Sequence, residues 1–160
     1  MQLTDILQPA AIKVPLEATD KKAAIAELVN LLAQTGKIKD PAAVLAGVLE
    51  REATRTTGVG HGLAIPHSKC GGISTLMMAI GKPAAPIDFQ SIDGRPVFVI
   101  ALLISPPDQT GNHIQALARL SRLMTDETFR STLKSAKTST EVYDAIVAQE
   151  SASPPSATAK

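Results

Sequence analysis

Two stretches in the first third of the chain carry apolar residues at helical spacing. A candidate cap at Thr19 or Asp20 precedes the first stretch, and Gly36 follows it as a stop signal. The second stretch begins at Asp40-Pro41, where an aspartate precedes a proline that is tolerated in a first helical turn. We predict two helices, the second of which ends near Arg51. Their apolar faces comprise Ile25, Leu28, Val29 and Leu32, then Val44, Leu45, Val48 and Leu49.

Four other segments have the composition of β-strands. Residues 97–104 are uninterruptedly apolar and rich in β-branched side chains, which predicts a central strand covered on both faces. Residues 11–16 alternate before Pro15 and fit an edge strand. Shorter strands are expected at 63–65 and 75–80.

The last third is predicted to be helical up to a polar tail. One helix is expected to carry Ile114, Leu117, Ala118 and Ser121 on one face, supported by Leu120 and Leu123. Thr125 is expected to cap a short helix, and a capping box at 138–141 to start the last one. The sequence thus predicts an α/β, single-domain sandwich with a mixed β-sheet flanked by helices. Residues 1–150 form the domain, and residues 151–160 are expected to be a disordered tail.

Composition and charge narrow the classes of function. Hydrophobic residues make up 44% of the 160, with only three Phe and one Tyr, so the core is expected to be aliphatic. Sixteen basic and 15 acidic residues give a net charge of +1, which argues against nucleic-acid binding through a surface-wide field. The single cysteine, Cys70, precludes a disulfide framework, and the longest apolar run is too short for membrane insertion. We expect a cytoplasmic protein.

The three histidines offer the clearest candidate chemistry. His61 and His67 share the glycine-rich segment 58–67, and His113 lies in the first turn of a predicted helix. A neutral imidazole keeps a nucleophilic lone pair near physiological pH and is suited to accept a phosphoryl group. His67 is the best-placed acceptor because it follows Pro66 and a short strand that would fix its position.

Phosphoryl transfer also needs groups that stabilise negative charge. Arg51 and Arg55 are candidate cations, and the amide end of the His113 helix would add a partial positive charge. Further candidate site-lining groups are Thr56, Thr57, Ser68 and His61. Loop-forming roles explain the two threonines equally well, and a solvated loop position is the favoured interpretation of His61.

These motifs resemble the type-2 enzyme IIA domains of the bacterial phosphoenolpyruvate-dependent phosphotransferase system (PTS). The resemblance centres on GVGHGLAIPH at 58–67 and extends over about residues 1 to 150; it includes LERE at 49–52, PIDF at 86–89, Asp108-Gln109 and His113-Ile114. It implies that His67 accepts a phosphoryl group from the phosphohistidine of an HPr-like or NPr-like carrier. It also implies that Arg51 neutralises this group and that His113 hydrogen-bonds His67 or the phosphoryl oxygens.

The resemblance covers fructose, mannitol and nitrogen-regulatory branches. A chain without a fused membrane or carrier domain looks most like nitrogen-regulatory enzyme IIA; the alternative is a sugar-specific component that passes phosphate to a IIB domain. Two other classes stay open. One is a metal-dependent hydrolase with His61, His67 and His113 as ligands, and the other is a binding module that is switched by phosphorylation without onward transfer. We expect no cofactor and no metal.

Overall fold

A mixed sheet forms the centre of the protein, in a computed structural model that describes residues 1–152. Within this range the sheet has six strands in the order β1-β5-β6-β3-β2, and β4 pairs with β6 beyond β3. Both parallel and antiparallel pairs occur, as β1 runs parallel to β5 whereas β5 runs antiparallel to β6. The strands are β1 (Leu7–Leu16), β2 (Gly58–Gly60), β3 (Leu63–Ala64), β4 (His67–Lys69), β5 (Met77–Pro83) and β6 (Val99–Ser105).

Helices cover both faces of this sheet. The five α-helices of the described range are α1 (Lys21–Ala33), α2 (Pro41–Thr54), α3 (Thr110–Leu123), α4 (Glu127–Ser135) and α5 (Ser139–Ala152). Buried residues of α1 and α2 belong to one apolar cluster, and those of α3, α4 and α5 to another. The predicted α/β sandwich of a mixed sheet flanked by helices is therefore confirmed.

The central strand β6 separates the two clusters. Every residue of β6 is buried. Val99, Ala101 and Leu103 join the cluster of α3, α4 and α5, and the residues between them join the cluster of α1 and α2. This alternation follows from strand geometry, in which successive side chains point to opposite faces. It explains why the segment reads as one continuous apolar run.

Several predicted element ends agree with the structure. Asp20 and Asp40 cap α1 and α2 by accepting hydrogen bonds from Ala23 N and Ala43 N. Strand β1 lies at a sheet edge, as predicted, although it begins earlier than expected, at Leu7.

The predicted face of α3 is wrong, although its two supporting residues, Leu120 and Leu123, are buried as expected. The helix buries His113, Ala116, Leu120 and Leu123, together with Arg119, whereas Ile114 is 58% exposed. The polar side chains have partners inside the fold, since His113 meets Ser105 and Arg119 pairs with Glu150. A count of apolar positions gives no weight to such polar contacts and therefore rotates the helix incorrectly.

The predicted cap of α4 needs correction. Asp126, not Thr125, caps α4 by accepting from Phe129 N, while the Thr125 hydroxyl donates to the Arg122 carbonyl at the end of α3.

Helix α5 continues to Ala152, two residues into the expected tail. The rest of that tail, 153–160, lies outside the described residues. Among residues 1–152, no helix is long and apolar enough to cross a membrane.

Gly62 and Gly36 provide a matched test of packing at the turn before β3. Both have a positive φ, of +76° and +81°, but an added Cβ would lie 2.3 Å from the Phe98 ring at Gly62 and within 4 Å of nothing at Gly36. We predict that Gly36→Ala lowers the free energy of unfolding by about 1 kcal/mol through backbone strain. Gly62→Ala should add about 1–3 kcal/mol of overpacking to that loss. Urea denaturation measures both, and equal losses would contradict this account.

Candidate functional site

The pairing of β4 with the end of β6 determines which side chains meet. The two strands run parallel, with His67 beside Leu103, Ser68 beside Ile104 and Lys69 beside Ser105. Neighbouring residues in a sheet share a face, so His67 and Lys69 lie on the face covered by α3. Ser68 lies on the opposite face, where its hydroxyl is near Gly47 of α2. The predicted site-lining role of Ser68 does not agree with this direction.

His67 and His113 lie side by side. Their ring centroids are 5.2 Å apart and their planes are inclined at 65°, an edge-on arrangement. His113 is in the first turn of α3 and only 4% exposed, while His67 is half-buried. The structure thus brings together two histidines that are 46 positions apart in the sequence.

A backbone hydrogen bond defines the tautomer of His67. Its Nδ1 lies 2.6 Å from the Ile65 carbonyl oxygen. A carbonyl only accepts, so a neutral His67 carries its hydrogen on Nδ1 and its lone pair on Nε2. Within residues 1–152, Nε2 has no hydrogen-bond partner. The free lone pair makes Nε2 the nucleophilic atom.

Both histidines are held in the neutral form at neutral pH. Burial lowers the pKa of His67 below its usual 6.5; the carbonyl of Ile65 acts in the opposite direction, and the charge of Arg51 acts with burial. Burial also lowers the pKa of His113 to about 4; the positive charges of Lys69 and Arg51, and that of His67 once it is protonated, act in the same direction. The pair therefore presents uncharged imidazoles in a positively charged environment.

Two cationic side chains, Arg51 and Lys69, supply the positive charge near the histidine pair. Arg51 is in the last turn of α2, and its guanidinium donates to the Arg55 carbonyl over 3.4 Å. Lys69 extends from β4 to α3, where Nζ donates to Thr110 Oγ1 over 3.0 Å. The sequence interpretation missed Lys69, although strand alternation from His67 would have identified it as a neighbour on the same face.

The two threonines in the loop after α2 stabilise the conformation of that loop through hydrogen bonds. Thr57 donates from its backbone nitrogen and its hydroxyl to Glu52, a carboxylate only 6% exposed. Lys21 completes this cluster with an ion pair to Glu52 of 2.8 Å. The Thr56 hydroxyl donates to the Phe89 carbonyl. Both hydroxyls thus have structural partners, so the predicted site-lining roles of Thr56 and Thr57 are not supported.

Two more of the predicted site residues, Arg55 and His61, have no contact with the histidine pair among the described hydrogen bonds and ion pairs. The exposed Arg55 borders a groove between the start of α1 and the end of α2. His61 is in the turn between β2 and β3, in a left-handed conformation with φ of +56°. Because β3 pairs with β6 near Val99 and His67 pairs near Leu103, His61 lies about 13 Å or more from His67 along the sheet.

The hydrolase alternative requires His61, His67 and His113 to converge, which this spacing prevents. In the part of the chain that the structure describes, no group of three or more His, Cys, Asp or Glu side chains is arranged to hold a metal ion.

The sequence matches one family and its members. A profile described as "Phosphoenolpyruvate-dependent sugar phosphotransferase system, EIIA 2" matches residues 5–149. A nitrogen regulatory protein from Bradyrhizobium diazoefficiens is 35% identical, covering 91% of this chain and 95% of that protein. A PTS fructose-specific EIIA component from Haloferax volcanii is 34% identical, covering 91% and 97%. A fructose-specific EIIABC component from Bacillus subtilis is 32% identical, but this chain covers only 23% of its length.

Solved structures share the fold. The nitrogen regulatory protein IIA-Ntr from Neisseria meningitidis superposes with a TM-score of 0.82 at 29% identity, covering 89% of this chain and 97% of that one. The IIA mannitol protein from Escherichia coli superposes with a TM-score of 0.74 at 18% identity, covering 87% and 97%. The latter likeness concerns the fold alone.

The depressed pKa of His113 makes stability dependent on pH. The unfolded chain takes up a proton at His113 near pH 6.5, whereas the folded protein does so only near 4, so stability falls as the pH drops through this window. The shift corresponds to at most roughly 3 kcal/mol. We predict that His113→Gln flattens the pH dependence of the unfolding free energy there, as measured by urea denaturation. Parallel curves for the two proteins would contradict this prediction.

Proposed function

Because this chain belongs to the EIIA type-2 family of the phosphoenolpyruvate-dependent phosphotransferase system, we propose that its phosphoryl-carrier role is performed by Nε2 of His67. The family implies phosphotransferase activity and interaction with phosphocarrier and IIB proteins. The donor proposed here is the phosphohistidine of an HPr-like or NPr-like carrier. The observation that carries the assignment is the hydrogen bond from His67 Nδ1 to Ile65, which leaves Nε2 free beside His113.

The proposed transfer exchanges one phosphorus–nitrogen bond for another. The Nε2 lone pair of His67 attacks phosphorus in line, while the bond to the carrier imidazole breaks and its electron pair returns to that ring. Positive charge then develops on the His67 ring, and the bond from Nδ1–H to the Ile65 carbonyl stabilises it. Because the pKa of His67 is lowered by burial, the lone pair is available without prior loss of a proton.

The transferred group is anionic, and the surroundings of the histidine pair suit an anion. Arg51 and Lys69 provide positive charge close enough to affect the pKa of both histidines. The start of α3 adds backbone amides that lack partners within the helix. The neighbouring carboxylate of Glu52 is paired with Lys21 and held by Thr57, so its repulsion of an incoming phosphoryl group is reduced.

Within the family we propose a nitrogen-regulatory role, in which the phosphoryl group on His67 changes affinity for a regulatory target. The relative from Bradyrhizobium diazoefficiens, matched over nearly its full length, supports this branch. The second candidate is transfer to a sugar-specific IIB domain, supported by the similarly matched fructose-specific component of Haloferax volcanii. Phosphoryl transfer from the labelled protein to a fructose-type IIB domain would favour the second candidate.

Phosphoryl labelling tests the acceptor. Incubation with phosphoenolpyruvate, enzyme I and an HPr-like carrier should place an acid-labile phosphoryl group on Nε2 of His67, detectable by phosphorus and nitrogen NMR. His67→Ala should abolish labelling. His61→Ala serves as the control and should label normally, because His61 lies in the turn before β3, far from His67 along the sheet. Full labelling of His67→Ala, or a phosphoryl group on Nδ1, would refute the assignment.

Substitution of the cations tests charge stabilisation. Arg51→Ala should slow transfer from the carrier by about a hundredfold, the order found for loss of one group that stabilises transition-state charge. Lys69→Ala should slow it by a smaller factor, because Lys69 is also bound to Thr110. Ser68→Ala is the matched control on the opposite face of β4 and should leave the rate unchanged. Rapid-quench kinetics measure the rates, and a large loss of thermal stability with normal transfer would contradict the role of Arg51.

A further inference from the structure

We infer that Ser105 is a positioning residue that holds His113 as its Nε2–H tautomer, so that His113 donates a hydrogen bond to the phosphoryl group on His67. The donation step rests on the proposed function of His67, whereas the tautomer itself does not. Sequence inspection gave no role to Ser105, which ends the apolar central strand.

The geometry isolates Ser105 and His113 as a buried pair. Ser105 is 0% exposed and continues the alternation of Val99, Ala101 and Leu103, so its side chain faces α3. Its Oγ lies 2.6 Å from His113 Nδ1. This is the hydroxyl's sole hydrogen-bond partner among residues 1–152, because the other polar contact of Ser105, from Cys70 N, uses the backbone carbonyl.

The count of donors and acceptors favours one direction for this hydrogen bond. If His113 Nδ1–H donated to Ser105, the hydroxyl hydrogen would be buried without an acceptor, an arrangement that proteins rarely tolerate. If Ser105 donates to Nδ1, the hydrogen is satisfied and the ring is left with its own hydrogen on Nε2. Each arrangement leaves one hydrogen without a partner in the described residues, but the second leaves it on Nε2, which is not among the fully buried atoms that lack a hydrogen bond. A ligand can reach Nε2–H, whereas the hydroxyl of Ser105 is enclosed and meets only His113.

The tautomer decides whether His113 attracts or repels a phosphoryl oxygen. With hydrogen on Nε2, the neutral ring is a donor to the negatively charged group on the neighbouring His67 ring, 5.2 Å away between centroids. With a lone pair on Nε2, the same ring would face phosphoryl oxygens with another acceptor. In the unphosphorylated protein, burial and the nearby cations lower the pKa of His113 to about 4, so the ring is neutral at neutral pH when the phosphoryl group arrives. The orientation of the Ser105 hydroxyl therefore matters.

The tautomer is measured directly by nitrogen NMR of the unphosphorylated wild-type protein with labelled histidine. We expect His113 Nδ1 to resonate as an unprotonated, pyridine-type nitrogen and Nε2 as a protonated, pyrrole-type nitrogen. A protonated Nδ1 overturns the proposal. This experiment requires no variant and no phosphoryl donor, so its result does not depend on the proposed function of His67.

Kinetics test whether Ser105 acts through His113. Ser105→Ala should slow phosphoryl transfer to His67 by about tenfold, the size expected for one hydrogen bond in the transition state. In a His113→Ala background the same substitution should have no further effect, because interacting residues are not additive. Equal slowing in both backgrounds, or no slowing in either, overturns the positioning role.

Ser91→Ala provides the matched control. Ser91 is also a buried serine, 8% exposed, and its hydroxyl has no hydrogen-bond partner in the described part of the chain. It contacts the loop at Gly58 rather than the histidine pair. We expect Ser91→Ala to transfer at the wild-type rate, and slowing equal to that of Ser105→Ala would overturn the proposal. If the wild-type protein accepts no phosphoryl group, the function of His67 fails while the NMR measurement still decides the tautomer.

Discussion

The parallel pairing of β4 with the end of β6 is the constraint on which the candidate site depends. Leu103 N donates to the Pro66 carbonyl over 3.0 Å, and Cys70 N donates to the Ser105 carbonyl over 2.9 Å, so hydrogen bonds flank the short strand on both sides. A shift of one residue would turn His67 to the face of α1 and α2, because side chains alternate along a strand. Such a shift would break the hydrogen bonds at Pro66 and Cys70, so these bonds hold the register, and the register determines where His67 lies.

The site combines neutral nitrogen atoms with an excess of positive charge. Burial keeps the imidazoles of His67 and His113 uncharged, while Arg51 and Lys69 add positive charge that also disfavours uptake of a second proton by either ring. In the absence of an anion these cations repel one another across the site. A phosphoryl group would offset that repulsion and accept hydrogen bonds from the same groups, which is why the arrangement suits a phosphoryl carrier better than a site for a cationic or apolar ligand.

The sequence was sufficient for the five helices and for four of the six strands of the described residues, but not for the short strands β2 and β4. The apolar run of β6 and the aspartate caps depend on local patterns, and local patterns are visible in one chain. The meeting of His67 with His113 came from the family resemblance, since no periodicity relates residues so far apart. Ser68 was expected to line the site but faces the other side of the sheet, and Lys69 shares the face of His67; alternation along β4 would have indicated both directions. Ser105 was missed because its place beside Lys69 depends on the pairing of a three-residue strand, which the sequence does not reveal.

The rotation of α3 links this chemistry to the surface. Because His113 and Arg119 turn inward to polar partners, Ile114 is displaced outward and is 58% exposed directly beside His113 in the chain. A single exposed apolar side chain is normal on a protein surface, so the outward position of Ile114 costs the fold little. The inward position of His113 is the part of this arrangement that matters for the chemistry, because it brings the imidazole beside His67. The polar core of the site and the exposed apolar position are thus two results of a single helix orientation, which is set by the hydrogen bond of His113 and the ion pair of Arg119.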